Sequence, residues 1–113
     1  MKESELLKRI HVELAMHGTR LFRNNVGVAH HKDGARVVYG LHPGSSDLIG
    51  WTSRRITPDM VGSVVAVFSS IEVKTPKGTV AKNQKVWLGA VRAAGGIAIV
   101  ARSVSDAVEG VKA

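Results

Sequence analysis

Ser69-Ser70-Ile71-Glu72-Val73-Lys74-Thr75-Pro76-Lys77-Gly78 is the stretch on which the reading of this chain turns. It closes a run, residues 60–71, that carries no formal charge and reads as a strand packed on both faces, so a long strand is expected over residues 62–75. Pro76 and Gly78 end it. Beyond that turn, Val86, Leu88, Ala90, Val91, Ala93 and Ala94 predict a helix over residues 81–94, stopped by Gly95-Gly96. Ile97 to Ala101 then reads as a short buried strand. Strand, helix and strand in that order form a right-handed crossover with the two strands parallel.

Working outward toward the N-terminus, residues 47–51 restart an apolar strand after the Gly/Pro/Ser loop 41–46, and 52–59 is a polar connection broken by Pro58. Before it, residues 26–31 and 36–40 flank Lys32-Asp33-Gly34, a hairpin signal, and 20–25 reads as a further strand. Leu6, Leu7, Ile10 and Leu14 fall at helical spacing in residues 4–17, with Ser4 as N-cap and Gly18 as the stop. Toward the C-terminus, Ser103 and Asp106 match the S-x-x-[DE] pattern that opens a helix, expected over 104–111. With no repeat, linker or low-complexity segment, the expectation is one α/β domain over residues 1–113, a mixed central sheet flanked by helices.

Composition narrows the class. A domain of 113 residues buries roughly 60–70% of its unfolded surface and needs no staple to fold. With no cysteine, a disulfide framework, a thiolate nucleophile and a sulfur-ligated zinc site are excluded. No apolar run approaches the roughly 18 residues that span a membrane, and the first 25 residues lack a signal-peptide core, so an intracellular, non-secreted protein is expected. Lys plus Arg is 16 against 9 Asp plus Glu, a net charge of +7, which favours a polyanionic partner over any acidic-tail function. Aromatic residues are only 4%, too few for a base-stacking platform, so phosphate contact should dominate.

Acids are scarce, so an isolated one needs a reason. Residues two apart in a strand share a face, so Glu72 and Lys74 project together while Ile71 and Val73 are expected to point into a core. An ionised carboxylate is costly to bury unless it is paired or holds a metal. The plainer reading is an exposed ion pair at a strand end, worth about 0–1 kcal/mol. Asp47, after Gly44-Ser45-Ser46, stands at a strand beginning where a neighbouring strand's end can bring it near Glu72, though a turn cap also accounts for it. Two such carboxylates make a hard oxygen site suited to Mg²⁺, which keeps several waters and accepts phosphate oxygens. The Val73 carbonyl is a further candidate ligand, and Lys74 an ammonium that positions the nucleophile or neutralises developing charge. Lys77, Lys82 and Lys85, on the following loop and helix start, are natural phosphate contacts, helped by the positive end of the helix. His30 and His31 are consecutive and so face opposite ways along a strand, a poor geometry for a shared ion.

Gly44-x-Ser46-Asp47-Leu48, then Glu72-Val73-Lys74, then Gly78 and Gln84-x-x-Trp87, then Ala94-Gly95-Gly96, together resemble the virus-type replication-repair nuclease domain (VRR-NUC) of the PD-(D/E)XK nuclease superfamily. The resemblance runs over nearly the whole chain and includes an acidic leading helix and Phe22-Arg23-Asn24-Asn25-Val26-Gly27. It implies a restriction-endonuclease-like fold, a divalent metal (Mg²⁺ or Mn²⁺) on Asp47, Glu72 and the Val73 carbonyl, a catalytic Lys74, and Gln84 lining the site. Glu5 is the favoured first-helix acid, with Glu3 and Glu13 as alternatives, and Arg23 lies where the family keeps a basic strand that meets DNA. Ser46 stands where the superfamily name has proline, which keeps the turn but frees φ. The small format is similar to viral members that act as symmetric dimers on branched DNA, so a homodimer cutting four-way (Holliday) junctions is what the resemblance implies. The rival classes are a non-catalytic DNA-binding or assembly protein and a nuclease on single-stranded DNA or RNA.

Overall fold

A computed structural model describes residues 2–112. Three helices and six strands follow one another as α1 (Glu3–Ala15), β1 (Thr19–Arg23), β2 (Gly27–His30), β3 (Arg36–Tyr39), β4 (Leu48–Thr52), β5 (Ser69–Val73), α2 (Lys82–Ala93), β6 (Ile97–Ala101) and α3 (Val104–Lys112). The class is α/β, as the element order predicts. The strands pair as three two-stranded ladders, β1 with β4 and β2 with β3 antiparallel, β5 with β6 parallel. Both strand directions are therefore present, but the hydrogen-bonding divides where a single central sheet was expected. The chain forms two compact units, one up to Thr52 and one from Ser53 onward.

In the first unit, α1 starts at Glu3 because Lys2, extended at φ −70 and ψ 149, is its N-cap. Ser4 is thus inside the helix and caps nothing, while Glu3 and Glu5 in the first turn suit the positive end of the dipole. The expected apolar stripe is also shifted. Leu6 and Ile10 are exposed, and Leu7, His11 and Leu14 form the half-buried face. His11 donates from Nε2 to the Leu21 carbonyl at 2.8 Å, fastening the helix to β1. At Gly50, opposite Leu21, a Cβ would collide with the Arg20 carbonyl oxygen, so only glycine lets β1 and β4 pair there. The Phe22 and Trp51 rings pack 5.6 Å apart, as expected of core or interface aromatics. The β2–β3 turn is held by Asp33, whose Oδ1 accepts from the Ala35 amide, and by Gly34 at φ +88. His30 and His31 are exposed hairpin residues.

In the second unit the expected long strand is cut to its last third. Gly62 turns at φ +87, and residues 63–68 find no neighbouring strand; Val64 is 99% exposed. β-branched residues favour a pleated, half-buried surface, and without a ladder to join they form no strand. The parallel β5–α2–β6 unit stands as predicted, with Ser69 opposite Ile97 and Val73 opposite Ala101. Gly95, at φ +97, ends the helix. Ser103 caps α3 as its pattern predicts: its Oγ accepts from the Asp106 amide at 3.1 Å, while Asp106 accepts from the Arg102 amide at 2.9 Å. Gly110 of α3 lies against Ile99, whereas α2 reaches Ser70 and Glu72, so the two helices cover opposite faces of the ladder. Leu88, Val91, Ala98 and Ala101 are the fully buried apolar residues of the described chain, all from α2 and β6.

Candidate active site

The end of β5 has the opposite polarity to the expected one. Ile71 and Val73 are 45% and 75% exposed, while Ser70, Glu72 and Lys74 share the half-buried face beneath α2. The donors on α2 explain the inversion. Trp87 donates from Nε1 to Ser70 Oγ at 2.8 Å, and Gln84 donates from Nε2 to Glu72 Oε1 at 2.5 Å. On the other face, α3 packs on β6 and leaves β5 uncovered.

Glu72, Lys74 and Gln84, picked out as three separate positions in the sequence, meet at one atom. Lys74 Nζ lies 3.5 Å from Glu72 Oε1, the oxygen that also takes the Gln84 bond. The Glu72 and Lys74 side chains are 30% and 20% exposed, so the charges are neither sealed away nor freely solvated. Gln84 is fixed at its other end as well. Ala81, the N-cap, has no side-chain acceptor to offer the helix; instead its own amide donates to Gln84 Oε1 at 2.9 Å. That bond decides which end of the carboxamide faces Glu72: the NH₂. A carboxylate held in this way fits one ligand of a hard divalent cation.

Asp47 lies in the other unit, between the 41–46 loop and β4, and its backbone carbonyl accepts from the Asn24 amide at 2.9 Å. Among the described residues no cluster of three or more acidic or histidine side chains forms by itself. Glu5 is exposed and pairs with Arg9 at 3.5 Å, the ordinary i,i+4 arrangement. Glu13 pairs likewise with His17. Arg23, at the end of β1, donates from Nε to Asn25 Oδ1 at 2.8 Å. Lys77, Lys82 and Lys85 are exposed, the first on the 75–78 turn and the others in the first turn of α2. Cations at a helix N-terminus oppose the dipole, so the sequence spends a little stability to have them there.

Arg102 holds the turn after the E-x-K strand. Its Nη1 donates to the carbonyls of Thr75 at 2.8 Å and Gly78 at 2.6 Å, with Pro76 at 3.4 Å. Nothing in its spacing signals this, because the partners are backbone atoms that exist only once the turn has formed. Arg102→Met keeps the stem and removes the donors; it should cost about 1 kcal/mol, the exposed setting lying at the low end for charged donors. Urea unfolding measures it.

A parallel strand–helix–strand unit gathers a carboxylate, an ammonium and a carboxamide at one strand end, and the class of the domain is α/β. The VRR-NUC domain family matches residues 2–105 of the 113, and the chain belongs to that family. It is accordingly a nuclease, a hydrolase that takes DNA as substrate, and nucleases of this PD-(D/E)XK-like type generally use divalent metals. Comparisons with curated proteins and with solved structures find no match. Among the described residues no helix is long and apolar enough to cross a membrane.

Proposed function

We propose that this chain is an Mg²⁺- or Mn²⁺-dependent DNA endonuclease, structure-selective for branched DNA such as four-way junctions, and that it works as a homodimer. Both units serve one nuclease domain over residues 1–113, a reading supported by a family match that runs through both. The observation that carries the proposal is the convergence of Lys74 and Gln84 on Glu72 Oε1. An ion pair needs no carboxamide oriented from a helix cap; a carboxylate that must be held in one orientation for a cation does.

In this mechanism Glu72 and the Val73 carbonyl would hold the metal, and Asp47 would be the second carboxylate ligand that the family resemblance implies. Bound there, the metal supplies Lewis-acid polarisation of the scissile phosphate and stabilises charge on its oxygens. Lys74 orients the attacking water, and Gln84 holds the Glu72 carboxylate in place. Hydrolysis is direct, with no covalent enzyme intermediate. Lys77, Lys82, Lys85 and Arg23 contact backbone phosphates, consistent with two of the lysines, Lys82 and Lys85, lying at a helix start that the dipole disfavours. Glu5 is engaged by Arg9, and no step is assigned to it. The branched substrate and the dimer rest on the resemblance to small viral members; an excess charge of +7 without a base-reading element supports recognition by shape and phosphate.

The test is a panel of junction, flap, duplex, single-stranded and RNA substrates, each at one salt concentration, with Mg²⁺, Mn²⁺ or chelator. Junction cleavage should be fastest, require the metal, and fall at least about 10²-fold in Asp47→Asn, the loss expected when a group stabilising developing charge is removed. Salt-sensitive binding without metal-dependent turnover would instead identify a DNA-binding or assembly protein.

A further inference from the structure

Asn24 is the first residue past β1, in a segment where sequence spacing assigns no chemistry. Its carboxamide spans both ends of the loop that leads to Asp47. Oδ1 accepts from the Leu41 amide at 3.1 Å, at the start of the loop. Nδ2 donates to Ser45 Oγ at 2.7 Å and to the Ser46 carbonyl at 2.9 Å, at its end. The main-chain amide of the same residue donates to the Asp47 carbonyl at 2.9 Å. The loop's own bonds are sparse by comparison: Ser45 donates to the His42 carbonyl at 2.9 Å, and His42 donates from Nδ1 to the neighbouring Pro43 carbonyl at 2.8 Å.

The chemistry fits asparagine and little else. The position calls for one acceptor and two donors on a single short, planar group. Aspartate lacks the donors, glutamine is a methylene longer, and serine is too short to reach both ends. Gly40, at φ +87, lets the chain enter the loop beside Asn25 and Val26, where a Cβ would collide with the backbone. Gly44, also at φ +87, lets it turn back toward Asn24.

We propose that Asn24 is a positioning residue: it ties the two ends of the loop together and thereby fixes the Asp47 backbone for cation binding. This rests on the reading of Asp47 as a metal ligand. Partners that orient a metal ligand cost about 10–100-fold in metal affinity when they are removed. Asn24 also explains how Ser46 does without the proline of the superfamily pattern, because the Ser46 carbonyl is gripped from outside the loop.

The test is direct Mn²⁺ binding to the full chain without DNA, followed by the electron paramagnetic resonance of free Mn²⁺, alongside cleavage as a function of Mn²⁺. Asn24→Leu keeps the side-chain size and removes all three bonds. It should raise the Mn²⁺ dissociation constant about 10–100-fold with the number of sites per chain unchanged, and excess Mn²⁺ should restore cleavage. A purely structural role would lower the number of sites and leave the midpoint alone, which overturns the proposal. Ser45→Ala removes one bond from an exposed loop and decides the matter if Asn24→Leu does not fold; a rise of about threefold supports the proposal and wild-type binding overturns it. Asp47→Asn separates the two readings. If it binds Mn²⁺ like the wild type, the metal-ligand assignment fails; if it loses binding while the Asn24 and Ser45 variants keep theirs, only the positioning role fails.

Discussion

Lys74→Met lowers the rate of DNA cleavage by about 10²–10⁴-fold while changing stability by less than about 1 kcal/mol; that is the result expected if the E-x-K strand end is catalytic. Methionine keeps most of the apolar stem, so the packing of a side chain that is 20% exposed is largely preserved. What disappears is the ammonium 3.5 Å from Glu72 Oε1. As a stabilising contact, a partly exposed pair contributes on the order of 0–1 kcal/mol. As a group that orients water and offsets charge in the transition state, it contributes about 3–5.5 kcal/mol, the energy equivalent of 10²–10⁴ in rate. The two magnitudes separate the readings without further structure. A variant that unfolds about 1 kcal/mol earlier and cleaves at nearly the wild-type rate would reduce Glu72 and Lys74 to a strand-end ion pair. Single-turnover cleavage at saturating metal, compared with urea unfolding of the same preparation, measures both sides.

The parts of the fold that were legible are those in which one residue class decides the outcome. Gly95 and Gly96 after an apolar helical pattern, the Ser103-x-x-Asp106 box and Lys32-Asp33-Gly34 each found their element because backbone conformation and local capping need only neighbours in sequence. The face of β5 was misread for the opposite reason. Alternation says that Ile71 and Val73 share a side, and it cannot say which side a helix will cover. Here donors on α2, Trp87 and Gln84, select the polar side, and an apolar run without a ladder partner, residues 63–68, forms no strand. The site divides along the same line. Glu72, Lys74 and Gln84 were visible because a charged pair interrupting an apolar strand is conspicuous and because the spaced motifs resemble a family. Asn24 and Arg102 were not, since each acts on backbone carbonyls and amides that lie from 17 to 27 positions away. A side chain bonded to backbone leaves no complementary residue type to search for.

Leu88→Ala should be the most destabilising single truncation in the second unit, at about 2–5 kcal/mol. Four apolar residues are fully buried among those described, and two of them are alanines with nothing to truncate. Val91 is the more deeply buried of the other two, at 1% against 3%, but its change to alanine removes fewer atoms than that of Leu88. Against the 5–15 kcal/mol typical of whole domains, such a loss lowers the urea midpoint by a large fraction while the slope, set by exposed surface, stays the same. The position also tests how the site is supported. Leu88 lies one helical turn beyond Gln84, so α2 could position Gln84 through the core or through its own N-terminus. The bond from the Ala81 amide to Gln84 Oε1 and the bond from Gln84 Nε2 to Glu72 both lie at the N-terminal end of the helix, ahead of the truncated side chain. Cleavage per folded molecule, measured at a temperature where the variant remains folded, should therefore stay within about threefold of wild type, a barrier change of under 1 kcal/mol. A loss of turnover in parallel with stability would mean that core packing, rather than the cap, aims the carboxamide at Glu72.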